Sequence, residues 1–251
     1  MRENSTIVAL LSSAASVGLT LYVLKLRGDI AAFIKGKEIP KGCLETKEHD
    51  GNGDRLWTAE DLIAMRRSIF PPDYDSEKKV LREVLDKMLT AANWAPTHGK
   101  TEPWRFVVFE ALEKRLELGQ LMADWYKANV PAKKFLESKY NKMIYNCQVS
   151  SHVIAICMKR QKSGKIPEWE EMCSVACAVQ NMHLVATAHG VAAYWSSGPA
   201  ITLAQDMKNH LKLEEKDKCL GLFYVGMPRK DVKVIKGFRK PIGDKVTWVS
   251  A

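Results

Sequence analysis

The chain has 251 residues, of which 46% are hydrophobic and 27% charged, enough apolar material for a core and too much for a disordered chain. Thirty-eight basic against 29 acidic residues leave a net charge of +9, and residues 1–60 balance eight against eight, so the excess falls in 61–251. A basic surface suits an anionic ligand, nucleic acid or an anionic membrane without separating them, while collagen, low-complexity and disulfide-rich miniprotein classes are excluded by composition.

Residues 4–24 carry no charge, and as a helix these 21 residues would span about 31 Å, close to a bilayer core. Lys25, Arg27, Lys35, Lys37 and Lys41 follow, and only Arg2 precedes. The positive-inside rule then reads residues 1–27 as a transmembrane-type anchor with the remaining chain facing the cytoplasm; a cleaved signal peptide, whose basic residues should precede the apolar run, and an organellar targeting helix are the alternatives. Residues 28–57 read as a polar linker. Within them Asp50-Gly51-Asn52-Gly53-Asp54 resembles the start of a calcium loop, but Arg55 takes the glycine position and Asp61 replaces the bidentate Glu. We read a turn into a helix capped by Thr58, with Asp61 three residues on.

Residues 58–251 read as one folded domain. Ser76 is placed to cap a helix with Val80, Val84 and Met88 on one stripe and Leu81, Leu85 and Leu89 beside it, ending before Pro96. Trp104 to Phe109 is a strand with little alternation, hence buried on both faces. A charged helical stretch is expected at 111–145, a second buried strand at 153–158 and a long helix at 168–189 closed by Gly190. Thr202 and Gln205 suggest a capping box, and 220–225 a third strand. The pattern is α+β, a central mixed sheet covered by helices.

The six cysteines include no CxxC pair and sit mostly in apolar runs such as Ile154-Ala155-Ile156-Cys157-Met158, so they read as reduced core thiols. Cys173 and Cys177 lie one helical turn apart with His183 beyond; a zinc site there lacks further ligands, and core packing is the reading taken. No metal site is assigned. HExxH, P-loop, GxSxG and dinucleotide fingerprints are absent. Trp94, Trp104, Trp169 and Trp195 sit in apolar contexts and do not alternate with Lys and Arg, so no nucleic-acid partner is expected.

Three constellations remain. Arg66-Arg67-Ser68 supplies two guanidinium forks and a hydroxyl, suited to a phosphate or simply to a helix carboxyl end. Asn93-Trp94-Ala95-Pro96-Thr97-His98 leads to Pro103-Trp104-Arg105, and Tyr194-Trp195-Ser196-Ser197-Gly198-Pro199 offers hydroxyls after a strand. In this order, with Ile166-Pro167-Glu168-Trp169-Glu170, Gly221 to Pro228 and Arg239-Lys240-Pro241, the chain from about Asp61 to Val249 resembles an FMN-dependent nitroreductase, nearest the small bacterial YdjA-like branch.

That resemblance implies a nitroreductase-like fold, an interlocked homodimer and FMN bound between the two chains. It implies that Arg66, Arg67 and Ser68 hold the FMN phosphate and ribityl chain, that Trp94 and His98 contact FMN from the partner subunit, and that Trp195, Ser196 and Ser197 complete the site. Arg239 matches a carboxyl-terminal residue that reaches the phosphate. Val185, Ala186, Thr187, Ala188, His189 and Gly190 correspond to a stretch assigned to the pyridine nucleotide. Where many members carry a third basic residue, this chain has Ile69-Phe70-Pro71-Pro72. The implied activity is ping-pong transfer of hydride from NAD(P)H, through FMN, to a small flat electron acceptor such as a nitro aromatic or quinone. The alternatives are a reductive dehalogenase of the iodotyrosine deiodinase type and a membrane-tethered FMN-binding protein without turnover.

Overall fold

A computed structural model describes residues 57–233 and 237–250. The anchor at 4–24, the linker up to Leu56, Cys43 and the calcium-like run at 50–54 lie outside the described residues. Among the described residues no helix is long and apolar enough to cross a membrane.

Among the described residues the α-helices and strands follow in the order α1 (Ala59–Met65), α2 (Arg82–Ala92), β1 (Trp104–Phe109), α3 (Leu112–Asn129), α4 (Glu137–Val149), β2 (His152–Met158), α5 (Glu168–Ala188), β3 (Ala192–Ser196), α6 (Pro199–Thr202), α7 (Gln205–His210) and β4 (Lys218–Gly226). The strands form one sheet in the order β1-β2-β4-β3. Side chains alternate across it. Val153, Ala155 and Cys157 of β2, with Leu222 and Tyr224 of β4, pack on one face with Leu118, Met122 and Cys147. Ile154, Ile156 and Met158, with Phe223 and Val225, pack on the other with Met88, Val179 and Met182. Every residue of β2 is buried, as a strand covered on both faces requires. Each fully buried Ile or Met there contributes roughly 1.5–3 kcal/mol.

The sheet is antiparallel throughout rather than mixed. The reason lies in the connections. One helix between strands carries the chain back to the starting end and gives strands of like direction, as α5 does between β2 and β3. Two helices return it to the end it left, so the α3–α4 hairpin makes β1 and β2 antiparallel and α6–α7 does the same for β3 and β4. Strands of like direction are never neighbours, since β4 separates β2 from β3 and β2 separates β1 from β4, so no parallel pair forms.

Other expectations need correction. Ser76 caps nothing: Asp75 takes the Glu77 N–H at 3.2 Å and pairs with Lys78, and Ser151 Oγ accepts the Val80 N–H at 2.8 Å, which keeps the chain extended until α2 starts at Arg82. The charged stretch at 111–145 is two helices, parted at Val130-Pro131, where proline cannot continue α3. Thr202 ends α6, its hydroxyl donating to Gly198 O, so there is no capping box with Gln205. Cys147, Cys157 and Cys219 are buried, but Cys173 and Cys177 are exposed on α5 because its core stripe runs instead through Val175, Ala178, Val179 and Met182. Thr58 caps α1 as expected, accepting from Asp61 N at 3.1 Å. Gly190, at φ 65°, closes α5 with Val191 N donating to Ala186 O at 2.8 Å.

Candidate functional site

The loop after α1 is fixed from three sides. Ile69 N donates to Ala193 O of β3 at 3.1 Å, and the Tyr74 hydroxyl donates to Ile69 O at 2.9 Å. Beneath the loop, His183 Nε2 lies 3.1 Å from Arg67 O. A carbonyl only accepts, so Nε2 carries the proton. His183 is buried on α5, edge-on to Phe223, and burial together with the Arg66 charge pushes its pKa down to about 4, so the imidazole is neutral.

This frame gathers guanidinium groups. Burial first, then the charges of Arg67 and Arg239, lower the Arg66 pKa. A Cβ added at Gly237 would come within 2.6 Å of Arg67 Cζ, so the carboxyl-terminal segment passes directly against that side chain. Arg67 Nη1 donates to Ala64 O at 2.7 Å and Arg66 O at 2.8 Å, so part of its fork does serve the end of α1. Ser68 is exposed beside them. The charges of Arg67 and Arg239 thus both reach Arg66, and guanidinium groups gathered in this way could hold an anion such as a phosphate.

The second constellation lies elsewhere. Asn93 Oδ1 accepts from Trp104 Nε1 at 2.9 Å, and the neighbouring Trp94 is 79% exposed. His98 opens a tight turn and its Nδ1 sits 2.6 Å from Glu170 Oε2 in the first turn of α5. Glu170 and His183 are thirteen residues apart on α5, about 20 Å at 1.5 Å per residue. One chain therefore does not bring His98 to the arginine cluster.

The third group divides. Trp195 lies on the α2–α5 face of the sheet, whereas Tyr194 packs on the opposite face, toward which Ser196 also alternates. Ser196 is half-buried and Ser197 exposed. Trp195 Nε1 is buried without a hydrogen-bond partner among the described residues, a donor whose isolation costs roughly 1–3 kcal/mol. Gly221, at φ 149°, makes room for it: a Cβ there would meet Trp195 Nε1 and lie 2.5 Å from Ser196 O.

Of the stretch expected to meet a pyridine nucleotide, Ala186 is fully buried in the core, so its side chain is not open to a ligand, while Val185 is half-buried against that core. Thr187 donates back to His183 O at 2.9 Å, and Gly190 closes the helix. Ala188 and His189 are half-buried, and burial with the Lys87 charge lowers the His189 pKa.

Sequence reasoning missed two residues of this architecture. Glu170 stood inside the Ile166-to-Glu170 motif without a role, and His183 was weighed only as a metal ligand. The available signal for His183 was its place on the buried stripe with Val175, Val179 and Met182, where a polar side chain needs a partner.

The model of the nitroreductase family matches residues 63–227. This chain belongs to the nitroreductase family. YdjA of Escherichia coli, provisionally named an NAD(P)H nitroreductase, is 29% identical to it over 147 residues, 59% of this chain and 77% of YdjA. The iodotyrosine deiodinase of Danio rerio is 22% identical over 211 residues, 78% of this chain and 68% of that protein. Two crystal structures share the fold. A nitroreductase-like protein from Bacillus cereus aligns with TM-score 0.63 at 21% identity, covering 78% of this chain and 99% of that one. A nitroreductase with bound FMN from Bacteroides fragilis aligns with TM-score 0.60 at 21% identity, covering 76% and 98%. The family match spans the Arg66-Arg67-Ser68 loop, the His98 turn and the end of β3, and stops before Arg239.

Proposed function

We propose that this nitroreductase-family chain is an FMN-dependent oxidoreductase that uses NAD(P)H to reduce a small flat acceptor of the nitro aromatic or quinone type. The convergence of Arg66, Arg67 and Arg239 carries this reading, because a flavin mononucleotide ends in a phosphate and that cluster is built for one. The orphaned Trp195 Nε1 supplies a second point of fit, a buried donor waiting for an acceptor. When bound, FMN would accept hydride from NAD(P)H and pass it to the acceptor in a ping-pong cycle.

The residues of this chain have distinct tasks in that reading. Arg66 and Arg67 bind the phosphate, with Arg239 closing on it from the tail and Ser68 beside it. His183 keeps the loop backbone in place by donating to Arg67 O. Trp195 and Ser196 lie further along β3, with Ser197 just past its end, and Ile69 N pairs with Ala193 O to tie the loop to the strand.

The same geometry supports a homodimer. His98 and Trp94 can share a site with the arginines only if a second chain brings them there. Helix α5 supports the contact: residues 172–188 contain no charged side chain, yet Cys173, Ala176, Cys177 and Gln180 are exposed. A solvent-facing helical surface without charge marks an interface, and small residues allow close helix approach. Residues 4–24 are proposed, from the sequence alone, as the membrane anchor of that dimer.

The deiodinase likeness, which extends over more of this chain than the YdjA one, favours a halogenated phenol as a second class of flat acceptor. The tests are separate. Titration with FMN and with riboflavin should give at least about tenfold tighter binding of FMN, because charge-assisted phosphate contacts are worth roughly 1.5–3 kcal/mol. Equal binding of the two would contradict the arginine assignment.

A further inference from the structure

One titratable pair stands apart from the arginine cluster. Glu170 Oε2 lies 2.6 Å from His98 Nδ1, and a carboxylate only accepts, so Nδ1 holds a proton. The Glu170 side chain is 25% exposed and sits in the first turn of α5, where the helix dipole favours its charge. The His98 side chain is 63% exposed, and among the described residues its Nε2 meets no hydrogen-bond partner.

The turn that presents His98 is conformationally costly. Lys100 at φ 54° and Glu102 at φ 44° occupy the left-handed region, each at about 1–2 kcal/mol, and Gly99 at φ 61° precedes them. Thr97 Oγ1 holds this shape by accepting the Glu102 N–H at 3.2 Å and sharing a hydrogen with Thr101 Oγ1 at 3.0 Å. Strain of this kind persists where the surroundings impose it and clusters at functional sites. Trp94 on the same loop and Trp169 beside Glu170 are 79% and 61% exposed, flat apolar surfaces that suit a flat ligand. A pair that only fastened the loop to α5 would need neither the strain nor a free imidazole nitrogen.

We propose that His98 is the proton donor to the acceptor and that Glu170 is its positioning residue. The assignment rests on the oxidoreductase reading above. A quinone that receives a hydride gains two electrons and becomes a phenolate, which needs one proton to become the hydroquinone. The Nε2–H bond of the His98 imidazolium breaks as the O–H bond forms. His98 becomes neutral, keeps its Nδ1–H on Glu170, and regains the lost proton from water. Glu170 fixes this tautomer and leaves Nε2 as the nitrogen that exchanges the proton.

The test compares the full-length protein with Glu170→Gln, driven by NADPH under anaerobic conditions, using menadione, which must be protonated, and ferricyanide, which takes one electron and no proton. The ratio of menadione to ferricyanide rates should fall about tenfold or more in the variant, within the range general acid catalysis provides. Rates that fall together, or a ratio that stays constant, would overturn the proposal. Histidine ¹⁵N NMR of the flavin-free full-length chain gives an independent readout: the Nδ1–H tautomer of His98 in the wild type, lost in Glu170→Ala. A tautomer unaffected by Glu170→Ala also overturns it. Protein that takes up no flavin refutes the oxidoreductase reading and this one with it; flavin-loaded protein with an unchanged ratio refutes this one alone.

Discussion

His183 and the two arginines above it depend on each other. The imidazole ionises near pH 6.5 in an unfolded chain and near 4 in the fold. Between those values the unfolded chain binds the extra proton, so this group's contribution to stability is complete above about pH 6.5 and is lost as the pH falls toward 4. Urea unfolding at about pH 7.5 and about pH 5 should show wild type losing about 2 kcal/mol more than His183→Gln, whose amide still donates to Arg67 O. An equal loss would mean that His183 does not titrate in this way. For the cluster itself, Arg66→Ala should raise the FMN dissociation constant roughly 10- to 100-fold and leave riboflavin nearly unaffected, measured by quenching of flavin fluorescence. The arginines were legible in the sequence because a doubled guanidinium beside a serine is a compact chemical signal. Their convergence with Arg239 was not, since it depends on where a tail more than 170 residues away returns.

Among the elements, β1, β2 and β4 were readable because Trp104-Arg105-Phe106-Val107-Val108-Phe109 and its counterparts are dense apolar runs. β3 is five residues of Ala-Ala-Tyr-Trp-Ser with no β-branched side chain, and its strand character comes from pairing with β4. The direction of the sheet was hidden in the number of helices per connection. The start of α2 was hidden in a tertiary bond, the Val80 N–H to Ser151 Oγ. Gly221 expresses the same dependence on partners: its lack of a side chain lets Trp195 cross β4. Gly221→Ala forces either the indole or the Ser196 backbone to move, and should cost about 3 kcal/mol, read as a lower urea midpoint, together with weakened flavin retention. A neutral effect on both would show that Trp195 tolerates repacking and is not positioned by this contact.

At the scale of the whole molecule, the separation of His98 from the arginines along α5 and the uncharged outer face of that helix point the same way, toward two chains sharing each site. Ala176→Glu places a charge on that face. By light scattering after size exclusion it should shift the protein from dimer to monomer, and flavin should be lost with the dimer. A monomer that still holds FMN would contradict the shared site. The most direct test of the central claim is the visible absorption spectrum of the purified protein, taken before and after anaerobic addition of NADPH and then NADH. Flavin bands that bleach with either nucleotide are the predicted result. A colourless protein that fails to take up added FMN, or a bound flavin that neither nucleotide bleaches, would contradict it.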